Sequence, residues 1–137
     1  MEWEISIKND VEELGRVAVL VDNISDELHL SDEQHMNIGL VLDEMVSNAI
    51  FYAYPDGTEA TIDIKAESDG QTLTFVLSDQ GQEFDPTKVI STDMDENPAE
   101  RPLGGMGIFI VKNIMNHVSY QRLEGRNLLT MTYTTQQ

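Results

Sequence analysis

The chain has 137 residues, 40% hydrophobic and 24% charged, with eight Lys+Arg against 25 Asp+Glu and a formal net charge of −17. That length and balance predict one globular domain over residues 1–137 and exclude a disordered chain, while so acidic a field disfavours direct binding to nucleic acid or an anionic membrane. The absence of cysteine excludes disulfides, zinc–thiolate sites and thiol catalysis, and no apolar run is long enough to span a bilayer.

Met1-Glu2-Trp3-Glu4 shows neither a basic nor an apolar leader pattern, so a reducing, cytoplasmic location is expected. Trp3 to Ile7 alternates and reads as a first strand. A helix follows from about Asp10 to Leu28, with Val11, Leu14, Val17, Ala18, Val21 and Ile24 on one face. Ser31 and Gln34 form a capping box that opens a second helix, running to Ala53 before Pro55-Asp56-Gly57 stops it. Thr61–Glu67 and Thr72–Ser78 read as strands joined at Asp69-Gly70. Residues 80–104 lack sustained periodicity, as a functional lid would. Gly104-Gly105-Met106-Gly107 then opens a short apolar helix, about Ile108 to Asn116. Strands at Val118–Leu123 and Leu128–Thr134, turning at Glu124-Gly125, close the chain. This order predicts a two-layer α/β sandwich (α+β), with helices packed on a mostly antiparallel sheet.

Three segments carry candidate chemistry. On the second helix Ile38, Leu42, Met45 and Ala49 form the core stripe, while Glu44 and Asn48 share another face one turn apart. Glu44 follows the apolar Leu40 and Val41, and partial burial would raise its pKa toward general-base duty. Asn48 offers a carbonyl oxygen to a hard cation. By spacing alone the two also read as a hydrogen-bonded pair on a helix surface. Asp79 continues the inward parity of Leu73, Phe75 and Leu77, so it enters the core interface and needs a partner there. An adenine amino group would supply one, and Gly81 would let the chain turn close beside that ligand; a strand-ending Asx turn is the plainer alternative. Arg101-Pro102-Leu103-Gly104-Gly105-Met106-Gly107 sets a cation and three glycines before a helix. Such a turn cradles phosphate through backbone N–H groups, or serves as a hinge; it is neither a Walker A loop nor a Rossmann fingerprint.

Other residues read as structural. His29, His35 and His117 lack metal-ligand spacing, Ser47 lacks a nucleophile elbow, and Met45, Met106 and Met115 read as core or pocket filling. Tyr52 and Tyr54 read as helix-end packing.

Taken in order, Leu42-Asp43-Glu44-Met45-Val46-Ser47-Asn48-Ala49, Asp79-Gln80-Gly81-Gln82-Glu83-Phe84-Asp85-Pro86 and Arg101 through Val111 resemble the N, G1 and G2 boxes of the GHKL ATPases, which have the Bergerat ATP-binding fold. Within that superfamily the chain resembles the anti-sigma-factor serine kinases of bacteria. The resemblance implies ATP and Mg²⁺ as ligands. It implies Glu44 as general base, Asn48 as Mg²⁺ ligand and Asp79 as the acceptor for the adenine amino group. Gly81 would lie beside the base, Gly104, Gly105, Met106 and Gly107 would meet the phosphates, and Arg101 would touch the γ-phosphate. The implied activity is phosphorylation of a serine on a STAS-type anti-sigma antagonist, together with sequestration of a sigma factor. A homodimer is common in the family. The sequence departs from the family at two places. Gln82-Glu83 stands where a second Gly is common, and Gly125-Arg126-Asn127-Leu128-Leu129-Thr130 replaces a Gly-Thr of the last strand, with Thr130 expected to stand in. A nucleotide-gated binding module without kinase activity, a detached histidine-kinase-like ATPase domain and a scaffold without ATP are the competing readings.

Overall fold

The computed structural model describes residues 1–88 and 107–135. Five strands, β1 (Glu2–Lys8), β2 (Thr61–Ser68), β3 (Thr72–Asp79), β4 (His117–Leu123) and β5 (Arg126–Thr134), form one antiparallel sheet in the order β1-β2-β3-β5-β4. Three helices, α1 (Leu14–Leu28), α2 (Asp32–Asn48) and α3 (Gly107–Ile114), pack on one face of it. The architecture is the expected α+β sandwich.

Alternation sets which side of the sheet is covered. Ile62, Ile64, Leu73, Phe75, Leu77, Leu129 and Met131 are buried against Val17, Val21, Ile24, Ile38, Leu42, Met45, Ile108 and Val111 of the helices. Two tight turns carry the left-handed backbone their sequences supply: Gly70 at φ 97°, and Glu124 and Gly125 at φ 50° and 77°. The capping box forms as expected. Ser31 Oγ accepts from the Gln34 N–H, and the Gln34 side chain accepts from the Ser31 N–H.

Two expectations need correction, and a third lies mostly outside the described residues. The first helix starts later than predicted. Asp10 caps a short 3-10 turn, Val11–Glu13, before α1 begins; Val11 stays exposed, Ala18 faces outward, and Leu20 takes the buried place instead. The second helix does not run uniformly to Ala53, because α2 ends at Asn48 and Ala49–Ala53 widens into a π turn. Such widening inserts an extra residue and changes the direction of the chain beyond it. Finally, the predicted lid, 80–104, is described only to Lys88; Asp79 leads into a loop that closes with a 3-10 turn at Pro86–Lys88.

Candidate functional site

The second helix delivers the first two candidates. Val41 and Leu42 are fully buried, which presses this part of α2 onto the sheet and leaves Glu44 partly buried at its side. Burial, and after it the neighbouring Asp43 carboxylate, raise the Glu44 carboxyl above its ordinary value. The start of α3 lies directly against it: a Cβ built on Gly107 would collide with Glu44 Oε2. A side chain at position 107 would therefore displace the Glu44 carboxylate from its place. One turn further, Asn48 is 2% exposed, and its Oδ1 has no hydrogen-bond partner among the described residues. A buried carbonyl oxygen without a donor carries a desolvation cost. A hard cation is the kind of group that would satisfy it, so the donor fits Mg²⁺.

The end of β3 delivers the third. Asp79 is 6% exposed and pairs in register with Ile62 on one side and Asn127 on the other. It faces the helix layer, as its parity required. Its Oδ1 accepts two hydrogen bonds, from the Gly81 N–H at 2.9 Å and from Asn127 Nδ2 at 2.8 Å. Asp79 lines a cavity of about 20 Å³, the room of roughly one water. Apolar side chains from α2 (Met45), the π turn (Ala49), β3 (Leu77), β5 (Leu129) and the loop (Phe84, Pro86) make most of its remaining wall, and Tyr120 and Asn127 complete it.

The loop after Asp79 is fastened to the π turn. The Gln82 N–H donates to Ala53 O and Gln82 Nε2 to Tyr52 O, both at 2.9 Å. The Gln80 N–H donates to the Tyr54 hydroxyl at 3.1 Å. The Phe84 ring stacks on Tyr52 with centroids 5.0 Å apart. Gly81 lies against the Ala53 backbone, where an added Cβ would run into Ala53 O. The tyrosines thus do more than end a helix, since they hold the loop that extends from Asp79.

Thr130 does not stand where it was expected. It pairs with Val76 and Ser119 and shares the outer face of the sheet with Leu128 and Thr132, away from Asp79. The buried alternation of β5 is Asn127, Leu129, Met131 and Tyr133. Counting back in twos from Tyr133 puts Asn127 on the covered face of β5, and the pairing Asp79↔Asn127 brings it to the site. Asn127 Nδ2 also donates to Gln82 O at 2.9 Å. Its Oδ1 accepts from the Phe84 N–H at 3.2 Å, from Arg122 Nη1 at 3.1 Å and from the Tyr120 hydroxyl. Arg122 Nη1 in turn donates to Gly81 O at 2.8 Å.

Arg101, Gly104, Gly105 and Met106 lie outside the described residues. Among the described residues no cluster of His, Asp and Glu could hold a metal ion, and no helix is long and apolar enough to cross a membrane. His35 bonds Asp22 across the α1–α2 contact at 2.7 Å, a structural use.

The family model described as the histidine kinase-like ATPase domain matches residues 7–133. The chain belongs to that family. The matched span runs from β1 to β5 and includes Glu44, Asn48 and Asp79. Among curated members, the chain is 29% identical to the serine/threonine-protein kinase BtrW of Bordetella bronchiseptica over 93 residues, 68% of this chain and 66% of that kinase. It is 21% identical to the serine-protein kinase RsbW of Oceanobacillus iheyensis over 98% of this chain and 87% of that one. The aligned part thus spans just under two thirds of the Bordetella kinase and most of the Oceanobacillus one. Among solved structures, the RsbU and RsbW domains of Rv1364c from Mycobacterium tuberculosis match all of this chain and 33% of that one, with a TM-score of 0.70 at 13% identity. The blue-light activated histidine kinase EL346 of Erythrobacter litoralis matches 89% of this chain and 40% of that one, with a TM-score of 0.59 at 20% identity. At such identities these structures speak for the histidine kinase-like ATPase fold alone.

Proposed function

We propose that this chain is an anti-sigma regulatory factor with ATP-dependent serine kinase activity, cytoplasmic, acting on a STAS-type anti-sigma antagonist and sequestering a sigma factor. The observation that carries the reading is the arrangement on α2. A carboxylate with a raised pKa sits one turn from a buried carbonyl oxygen that has no donor among the described residues, and their neighbours on the same stretch of chain, Met45 and Ala49, line the cavity whose polar wall includes the Asp79 carboxylate. The serine kinase names of the Bordetella and Oceanobacillus relatives support it.

In this reading Asp79 accepts from the adenine amino group, and the apolar wall of Met45, Leu77 and Leu129 covers the base. Asn48 is the ligand for Mg²⁺, which when bound neutralises phosphate charge. Glu44 takes the proton of the attacking serine hydroxyl, and its raised pKa brings it closer to neutral pH, where a base is most effective. The backbone at Gly107, with Arg101, Gly104, Gly105 and Met106 before it, meets the phosphates. Phosphoryl transfer asks mainly for positioning and charge stabilisation, so this small set suffices. A formal charge of −17 supports a basic segment on the sigma factor, bound with steep salt dependence; association unaffected by salt would remove that element. A homodimer is part of the proposal.

The test is phosphate transfer from Mg-ATP to a STAS-domain protein, comparing the wild type with Glu44→Ala. The expected result is a loss of about 10²–10⁴-fold in transfer rate with ATP affinity largely kept. Equal transfer by the variant would remove Glu44 from the chemistry. Nucleotide binding with no transfer by either protein would leave a nucleotide-gated binding module.

A further inference from the structure

Asn127 has a hydrogen-bond pattern that allows one orientation of its amide. The Phe84 N–H and Arg122 only donate, and both reach Oδ1; Gln82 O only accepts, and it is reached by Nδ2. The remaining Nδ2 hydrogen bond is therefore directed to Asp79 Oδ1. The Gly81 N–H ends on the same oxygen. Both bonds that Asp79 receives from described residues thus fall on one side of its carboxylate, although Asp79 itself lines the cavity. The Asn127 side chain is 5% exposed and joins β5, β4, the end of β3 and the loop at residues 82–84.

The geometry points to Asn127 as the positioning residue for nucleobase selection. By holding Oδ1 it turns Oδ2 of Asp79 toward the cavity as a single acceptor for a ring amino group. This inference rests on the nucleotide reading above. It makes a donor amide on β5, one strand register from Asp79, the group that separates a 6-aminopurine from a purine without that amine. Tyr120 and Arg122 keep the amide from rotating, and Gln82 O prevents it from flipping.

Binding of Mg-ATP and of Mg-purine riboside triphosphate, which lacks only the 6-amino group, to the full chain separates the possibilities. The wild type is expected to prefer ATP by about tenfold, the value of one hydrogen bond to a charged acceptor. Asn127→Ala should compress that preference to within about threefold, mostly through weaker ATP binding. Asn127→Ser keeps a hydroxyl donor and should recover part of the preference. Tyr120→Phe frees the amide without touching Asp79 and should compress the preference less than Asn127→Ala; it carries the test if the alanine variant does not fold. A merely structural role would weaken both nucleotides equally, and folded variants with equal losses, or with an undiminished preference, would overturn the inference. A wild type that binds neither nucleotide would instead overturn the nucleotide reading, and this inference with it.

Discussion

Below the ordinary carboxylate range, Glu44 carries its proton in both the folded and the unfolded chain, and its burial costs nothing extra. As pH rises, the unfolded chain releases that proton first, because burial raises the folded pKa. Folding stability therefore falls through this window and stays lower at neutral pH. Glu44→Gln is expected to raise the melting temperature at pH 7 and to leave it unchanged near pH 3, as thermal unfolding at the two pH values would show. A variant less stable than the wild type at pH 7 would mean that the carboxylate is held by favourable partners instead. Gly107 makes a complementary case. Its added Cβ would meet the outer end of a flexible side chain, Glu44 Oε2, so the carboxylate can swing aside. Gly107→Ala should keep stability within about 1 kcal/mol while lowering phosphate transfer, because the base is displaced.

At the scale of elements, the site depends on the loop after β3 being tied to the π turn at Ala49–Ala53. Gly81→Ala differs in kind from Gly107→Ala, since the atom an added Cβ meets is the Ala53 backbone oxygen, which cannot move alone. We expect a loss of about 1–3 kcal/mol in urea unfolding together with weaker nucleotide binding. A neutral substitution would mean that the loop is not held there. The same elements explain what could be read in the sequence. The strands and the capping box arise from alternation and from Ser31 and Gln34, which act locally. The π turn has no local signal; it depends on how Tyr52, Tyr54 and the loop pack together. Val11 and Ala18 fit a helical stripe, but Val11 falls in the 3-10 turn before α1 and Ala18 lies on the exposed side of α1, so their apolar character is not used for burial. Asp79 was legible from its inward parity, whereas Glu44 and Asn48, which by spacing alone read as a surface pair, stood out only through their order with Asp79-x-Gly81 and the glycines before α3. Asn127 needed the partner of β3 to be known, and with it the register Asp79↔Asn127.

For the whole molecule, the strand order places β3 in the middle of the sheet, and so Asp79 between Ile62 and Asn127 beneath the helix layer. A ligand seated there would touch α2, β3, β5 and the loop at once, elements far apart in sequence. Its binding would then be read as stability of the entire fold, since a ligand that binds only the native state adds about 2.7 kcal/mol at about 100 times Kd. The central claim is that this cavity, opened, takes Mg-ATP through Asp79. Calorimetric titration with Mg-ATP of the wild type beside Asp79→Asn tests it most directly. The account predicts saturable binding by the wild type, thermal stabilisation at saturation, and at least about tenfold weaker binding by the variant. A well-folded wild type that gives no binding heat and no stabilisation, or a variant that binds as tightly as the wild type, would contradict it.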